Sequence, residues 1–234
     1  MTSNPFNGFP KESLQFFTDL KANNNKPWFD ANKPDYENYV LAPARDFVVA
    51  LGESLRDLSP DVVADPRVNK SIFRIYRDIR FSRDKTLYKT HLALWFLAGV
   101  SGGKFENPGY YFHLEPGNLM LGVGIHTFSK PLLQAYREAV VSPEFGPELA
   151  QITAVVLKKG YGVGSKTYKR VPRGYDPDHQ YADLLCYSGL TSGVDLEIPA
   201  ELHTPELIDF CMDKYRDMAP VVHWLQRMKD VSGI

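Results

Sequence analysis

The sequence predicts an α+β domain, a central antiparallel meander of about four or more strands flanked by N-terminal and C-terminal helices. Three observations carry that reading. Apolar residues recur at helical spacing near both ends of the chain, the middle switches to a period of two, and a Pro-Gly pair joins two of the middle segments. With 234 residues, a single globular domain over 1–234 is expected. A chain of that size can bury a core without a disulfide or a metal.

Residues 11–22 place Leu14, Phe17 and Leu20 at helical spacing behind Pro10, and Asn23 to Asn25 end the run. A longer helical pattern begins near Pro34 and carries Tyr36, Tyr39, Val40, Phe47, Val48, Leu51 and Leu55. Pro43 is expected to break or kink it, because proline lacks the N–H and clashes with the preceding turn. Then "SIFRIYRDIRF" at 71–81 alternates, with Phe73, Ile75, Ile79 and Phe81 on one face and Arg74, Tyr76, Asp78 and Arg80 on the other. That pattern predicts a half-buried strand, and Arg77 is the residue on its apolar face that breaks it. "HLALWFLAGV", "YYFHLEP" and "LMLGVGIHTF" are the next three strands, and "EPGN" supplies the turn between the last two. Helices return over "SKPLLQAYREAVV" and from about Pro143 to Lys159. Two short strands, "KTYKRV" and "VDLEI", and a short helix near 181–187 precede a closing helix from Pro205 to Lys229.

Net charge is −1, but it is unevenly placed. Residues 67–89 hold eight Lys/Arg against Asp78 and Asp84, and residues 158–173 hold six and no acid. Two basic segments are thus set in an acidic body, an asymmetry that creates a local field. Cys186 and Cys211 are the only cysteines and show no paired spacing, which suits a reducing compartment. No secretory signal is visible at the N-terminus and the longest apolar stretch, Leu92 to Val100, is too short to span a bilayer. A cytoplasmic protein with no membrane partner is expected.

Several motifs read better as structure than as chemistry. "GVSGGKF" at 99–105 lacks the spacer of a phosphate loop and has Phe105 where a Ser or Thr should be, so it is a strand connection. His113 and Glu115 share a strand face and form a pair of candidate metal ligands. A site would need a third and fourth ligand from elsewhere, and the sequence places neither candidate, His91 nor His126, so the expectation is no metal and no cofactor. No nucleophile elbow and no matched Cys and His are present.

The arginine-rich stretch "RIYRDIRFSRDKTLYK" at 74–89 differs in kind. Guanidinium groups bind carboxylate or phosphate oxygens bidentately and tolerate partial burial. The candidate ligand-binding residues are Arg74, Arg77, Arg80, Lys85, Tyr88 and Lys89, joined by Arg173 and Tyr175 from the second basic element, "KRVPRGYDPDH". Both elements are expected to face one concavity. Were a reaction catalysed, Asp78, Asp84 and His179 are the proton-transfer candidates.

These stretches also carry a resemblance. "RIYRDIRFSRDKTLYK", the upstream "NNNKPWFDANK", the later "YYFHLEPG" and "KRVPRGYDPDH", and Trp224 together resemble the DUF2461 family, conserved hypothetical proteins of bacteria and fungi. Leu87 stands where that pattern offers proline. The resemblance implies one intracellular domain and no established activity. The residues themselves point to a domain binding a small anionic ligand, phosphate- or carboxylate-bearing. The alternatives are a nucleic-acid-binding module, with Tyr76, Phe81, Tyr88 and Tyr168 as stacking platforms, and an interaction or structural domain with an internal Arg–carboxylate network. Nothing in the sequence sets the oligomeric state.

Overall fold

The computed structural model describes residues 5–99 and 106–234. Its strands are β1 (Val62–Val63), β2 (Leu92–Ala98), β3 (Gly109–Glu115), β4 (Asn118–Ile125), β5 (Gly162–Lys166) and β6 (Tyr187–Leu196). They form one six-stranded sheet in the order β1-β2-β3-β4-β6-β5. The helices are α1 (Lys11–Ala22), α2 (Lys26–Ala31), α3 (Lys33–Asp35), α4 (Ala42–Leu55), α5 (Lys130–Val141), α6 (Phe145–Lys158) and α7 (Leu207–Ser232). This is the α+β class expected from the two periodicities. No helix among the described residues is long and apolar enough to cross a membrane.

The chain packs as two compact units. The first takes the described residues up to Phe96, then Tyr111–Met120 and Asp195–Met212. In it, α1 buries Ser13, Phe16, Phe17 and Leu20, the one-sided stripe that a surface helix presents to a core. α2 starts where the Asn25 side chain accepts the Trp28 N–H at 3.0 Å, satisfying one of the orphan donors at a helix start. Pro43 does not break the helix. A π-helical turn, Tyr36–Leu41, runs directly into α4, with Pro43 in the first turn of α4. The proline cannot donate to the carbonyl four residues back, and that carbonyl, Tyr39 O, accepts from the Ser13 hydroxyl at 2.5 Å. The missing bond is thereby replaced, and α1 is pinned to the π turn. Phe47 of α4 packs on Phe112 of β3 with ring centroids 4.8 Å apart, and Phe9 stacks on the same ring at 6.0 Å. Gly8, at φ +96, lies so close to the His203 backbone that a Cβ would come within 2.1 Å of its carbonyl carbon. Only glycine allows that approach.

The second unit takes the described part of Leu97–Tyr110, then Leu121–Val194 and Asp213–Ile234. Trp224 is fully buried and donates its indole N–H to Phe145 O at 3.1 Å, while the Tyr136 hydroxyl donates to Leu184 O at 2.9 Å. Each large ring thus keeps its polar atom satisfied inside an apolar core. The Asp217 carboxylate gathers Lys159 and Tyr161 at 2.5 and 2.8 Å. β5 corrects the sequence reading. The strand is "GVGSK" and not "KTYKRV", because Gly162 and Gly164 pair with Gly193 and Thr191 of β6. A Cβ at Gly164 would meet Thr191 Oγ1 at 2.6 Å, so the bare glycine eases the pairing there.

The stretch read as a strand at 71–81 also departs from expectation. It is not a continuous strand but the outgoing leg of an irregular antiparallel arm, held by isolated bridges Ile72↔Leu94 and Tyr76↔Tyr88. Between those bridges the outgoing leg advances four residues (72 to 76) and the return leg six (88 to 94). Two extra residues on one leg interrupt the ladder as a bulge does, and bulges re-aim the side chains they carry. Those on this return leg include Lys89 and His91. The face assignment holds at Ile75, which is buried, and fails at Phe81, which is 94 % exposed at the arm's tip. The segment "GVSGGKF" lies outside the described residues beyond Gly99.

Candidate functional site

The arm and the outer face of β3 make up the candidate site, all within the first unit. β3 alternates cleanly. Phe112 and Leu114 point into the core, and Tyr111, His113 and Glu115 occupy the other face, each half-buried or partly exposed. The bulged return leg brings His91 beside them. His91 and His113 stack with ring centroids 4.2 Å apart and planes 27° apart. One ligand atom from each of His91, His113 and Glu115 lies within 4.8 Å of the other two. Burial, then the neighbouring His113, Lys89 and Arg77, push His91 down to about 4. Burial also lowers His113, against the pull of the Glu115 carboxylate. The Tyr111 hydroxyl lies 3.2 Å from His113 Nδ1, and His113 Nε2 is 3.8 Å from Glu115.

Around this cluster the basic residues divide into two groups. At the tip, Arg80 bonds Asp78 through two nitrogens at 2.9 and 2.6 Å, and Arg77 bonds both Asp84 and the Thr86 hydroxyl. The Arg80 bonds hold Asp78 down at about 2. Asp84 is also held at about 2, first by the Thr86 backbone N–H and then by Arg77. Carboxyls held so low make weak bases near neutrality, which weighs against Asp78 and Asp84 as proton carriers. Lys85 donates to Ile79 O at 2.9 Å. At the base, Lys89 is half-buried with its ammonium 5.2 Å from the centre of the Phe73 ring. Burial and the nearby Arg74 charge lower it. Among the described residues, neither Lys89 nor Arg74 has a carboxylate in salt-bridge reach.

Tyr88 stands apart from the other ligand-binding candidates. It is 2 % exposed and stacks on Phe29 at 4.2 Å, and the side chain of Asn24 bonds both its N–H and its carbonyl. It anchors the arm to α2 and offers no face to a ligand or a base.

Arg173, Tyr175 and His179 belong to the second unit. Burial, then Glu138, raises the Tyr175 hydroxyl, and the His179 ring accepts the Tyr181 N–H at 3.2 Å. The basic loop there bounds an open cavity of about 550 Å³ lined by Lys169, Arg170, Val171, Pro177, Ala182, Asp183 and Cys186. Neither Arg173 nor Tyr175 lines it. Asp183 on its wall is already paired with Lys166.

Sequence reasoning found His113 and Glu115 as a pair but could not bring in His91. The missing information is the register change in the arm, which leaves no mark on the hydrophobic pattern. His126, the other candidate, is exposed in the second unit and outside the cluster.

No curated protein matches the chain. The family model described as "Conserved hypothetical protein (DUF2461)" matches residues 12–224, nearly the whole chain, which includes the arm, both histidines and Glu115. The protein belongs to the DUF2461 family.

Proposed function

We propose that the protein binds a small anionic ligand, phosphate- or carboxylate-bearing, at the base of the arm, with Arg74 and Lys89 as the principal cations. One observation carries the reading: among the described residues, a half-buried ammonium beside a guanidinium has no carboxylate within salt-bridge reach. Partial burial of an unpaired charge disfavours its charged form, and an anion bound between half-buried Lys89 and the exposed Arg74 offsets that cost. A purely structural network would pair these groups, as it pairs Arg77 and Arg80. Arg77, though paired with Asp84, lies close enough to His91 to act on its charge. Free, buried Cys186 and Cys211 support a reducing, cytoplasmic setting.

The second reading, nucleic-acid contact, is favoured by Phe81, whose exposed ring lies 5.9 Å from the Arg80 guanidinium. Thermal melts with inorganic phosphate and with a mixed-sequence oligonucleotide, each at two salt concentrations, separate the two. Under the anion reading, phosphate raises Tm in the parent and not in Lys89→Met. Tight oligonucleotide binding that falls steeply with salt, with a log–log slope of about −0.7 per phosphate contact on single strands, favours the second.

A further inference from the structure

We propose that His91, His113 and Glu115 form a binding site for a divalent transition-metal ion of the zinc or iron(II) kind. The inference is independent of the anion reading, since it rests on the donor set and not on the cations around it.

Two imidazoles and one carboxylate are the protein ligands of both the His-His-Glu zinc sites and the facial triad of non-haem iron. The mixed nitrogen and oxygen set disfavours calcium and magnesium, which take oxygen ligands. The geometry is close to what an ion needs. Coordination at 2.0–2.2 Å places ligand atoms roughly 3–3.5 Å apart, and here the three lie within 4.8 Å of one another. The two imidazoles now lie stacked, 4.2 Å and 27° apart, so one ring must turn for both lone pairs to meet an ion. His113 Nε2 and the Glu115 oxygen are 3.8 Å apart, too far for a hydrogen bond and a spacing that one shared ion would bridge.

His113 also has the orienting partner that metal-bound histidines carry. With Nδ1–H donated to the Tyr111 oxygen at 3.2 Å, the lone pair of Nε2 is left free on the side of Glu115. The backbone supports the arrangement. Two ligands come from alternate positions of one rigid strand, and the third comes from a leg whose register change turns it toward them. The charges nearby offset each other in part. Lys89 and Arg77 act on His91, whereas Glu115 and Asp195 act on His113. Three protein ligands leave coordination positions open for water or an anion.

The test uses the full chain, stripped with a chelator and titrated with Co²⁺ as a visible probe and Zn²⁺ as competitor. The parent should bind about one Co²⁺ with the absorption bands of a low-coordinate site, and Zn²⁺ should displace it. Glu115→Gln and His113→Ala should weaken binding at least tenfold without lowering the melting temperature of the metal-free protein. Tyr111→Phe, a change at the positioning residue, should weaken it about tenfold. His126→Ala should change nothing. If His113→Ala fails to fold, the isosteric Glu115→Gln decides alone. Absence of Co²⁺ bands in the parent overturns the proposal, and so does affinity unchanged in Glu115→Gln. Phosphate titration of metal-free Glu115→Gln keeps the two readings apart, because Lys89 and Arg74 are intact in it.

Discussion

The tip and the base of the arm use the same residue types to opposite electrostatic ends. At the tip, Arg80 is closed onto Asp78 two residues before it, and Arg77 onto Asp84 and Thr86 across the turn. At the base, among the described residues, Lys89 and Arg74 have no carboxylate within salt-bridge reach, although Lys89 is the more buried of the arm's lysines. An acid two residues from its arginine is available as soon as the turn forms, so the tip neutralises itself with short-range contacts. The base does not, since among the described residues no carboxylate forms a salt bridge with Lys89 or Arg74. An excess of cation over anion in a sequence therefore marks a basic region but does not say which cation is spare. Register decides that.

The largest expected effect follows from removing the spare cation. Lys89→Met keeps the apolar stem over Phe73 and deletes the charge. In the metal-free, anion-free protein it should hold or raise the melting temperature, since it relieves a half-buried charge facing Arg74. With phosphate at about a hundred times its Kd, the parent should gain roughly 2.7 kcal/mol and Lys89→Met almost none. Calorimetric melts at fixed ionic strength measure both. A variant that melts well below the parent without phosphate would show that Lys89 holds the fold together and serves no ligand.

Two changes at the tip sharpen the contrast. Arg77 is 29 % exposed along its side chain and serves two acceptors, so Arg77→Met should cost about 1–2 kcal/mol, between an exposed pair and a buried one. Urea unfolding reads this. A loss of 3–5 kcal/mol would mean that the pair behaves as buried. Arg80, with 76 % of its side chain exposed, should leave urea unfolding nearly unchanged on replacement by Met. It should also leave phosphate binding unchanged within twofold, and a larger loss of affinity would move the anion site from the base to the tip.

The same contrast explains what the sequence disclosed. Helices and strands followed their periods closely: α1, β2 and β3 fall within a residue or two of the expected runs, and β4 within three, because each buries one face against a core. Arg77 stood out as the cation on an apolar face and is indeed half-buried and paired. What was not legible depends on register and on glycine. Phe81 reads as core from its alternation, yet the leg it belongs to turns away at the tip. Tyr88 reads as a ligand residue among cations, yet the bridge to Tyr76 sets its ring on Phe29. β5 was hidden because its two glycines look like a stop, and only their pairing with β6 makes them a strand. His91 opens a predicted strand, and nothing local says that it meets His113.

The smallest effect tests the tip in acid. The folded-state pKa of Asp84, at about 2, lies below its ordinary 3.8. The carboxylate therefore contributes its stabilising bonds in full above about pH 4 and loses them as pH falls through 2. Carboxyl NMR of the native protein should show its midpoint near 2, with the Thr86 amide shifting in step because that N–H donates to Asp84 at 2.9 Å. Arg77→Met should raise the midpoint only part of the way to 3.8, since the Thr86 backbone bond is the larger cause and survives the substitution. A midpoint of 3.8 in the parent would mean that Asp84 makes neither bond in solution. Arg77 would then be as unpaired as Lys89, and the distinction between tip and base would be lost.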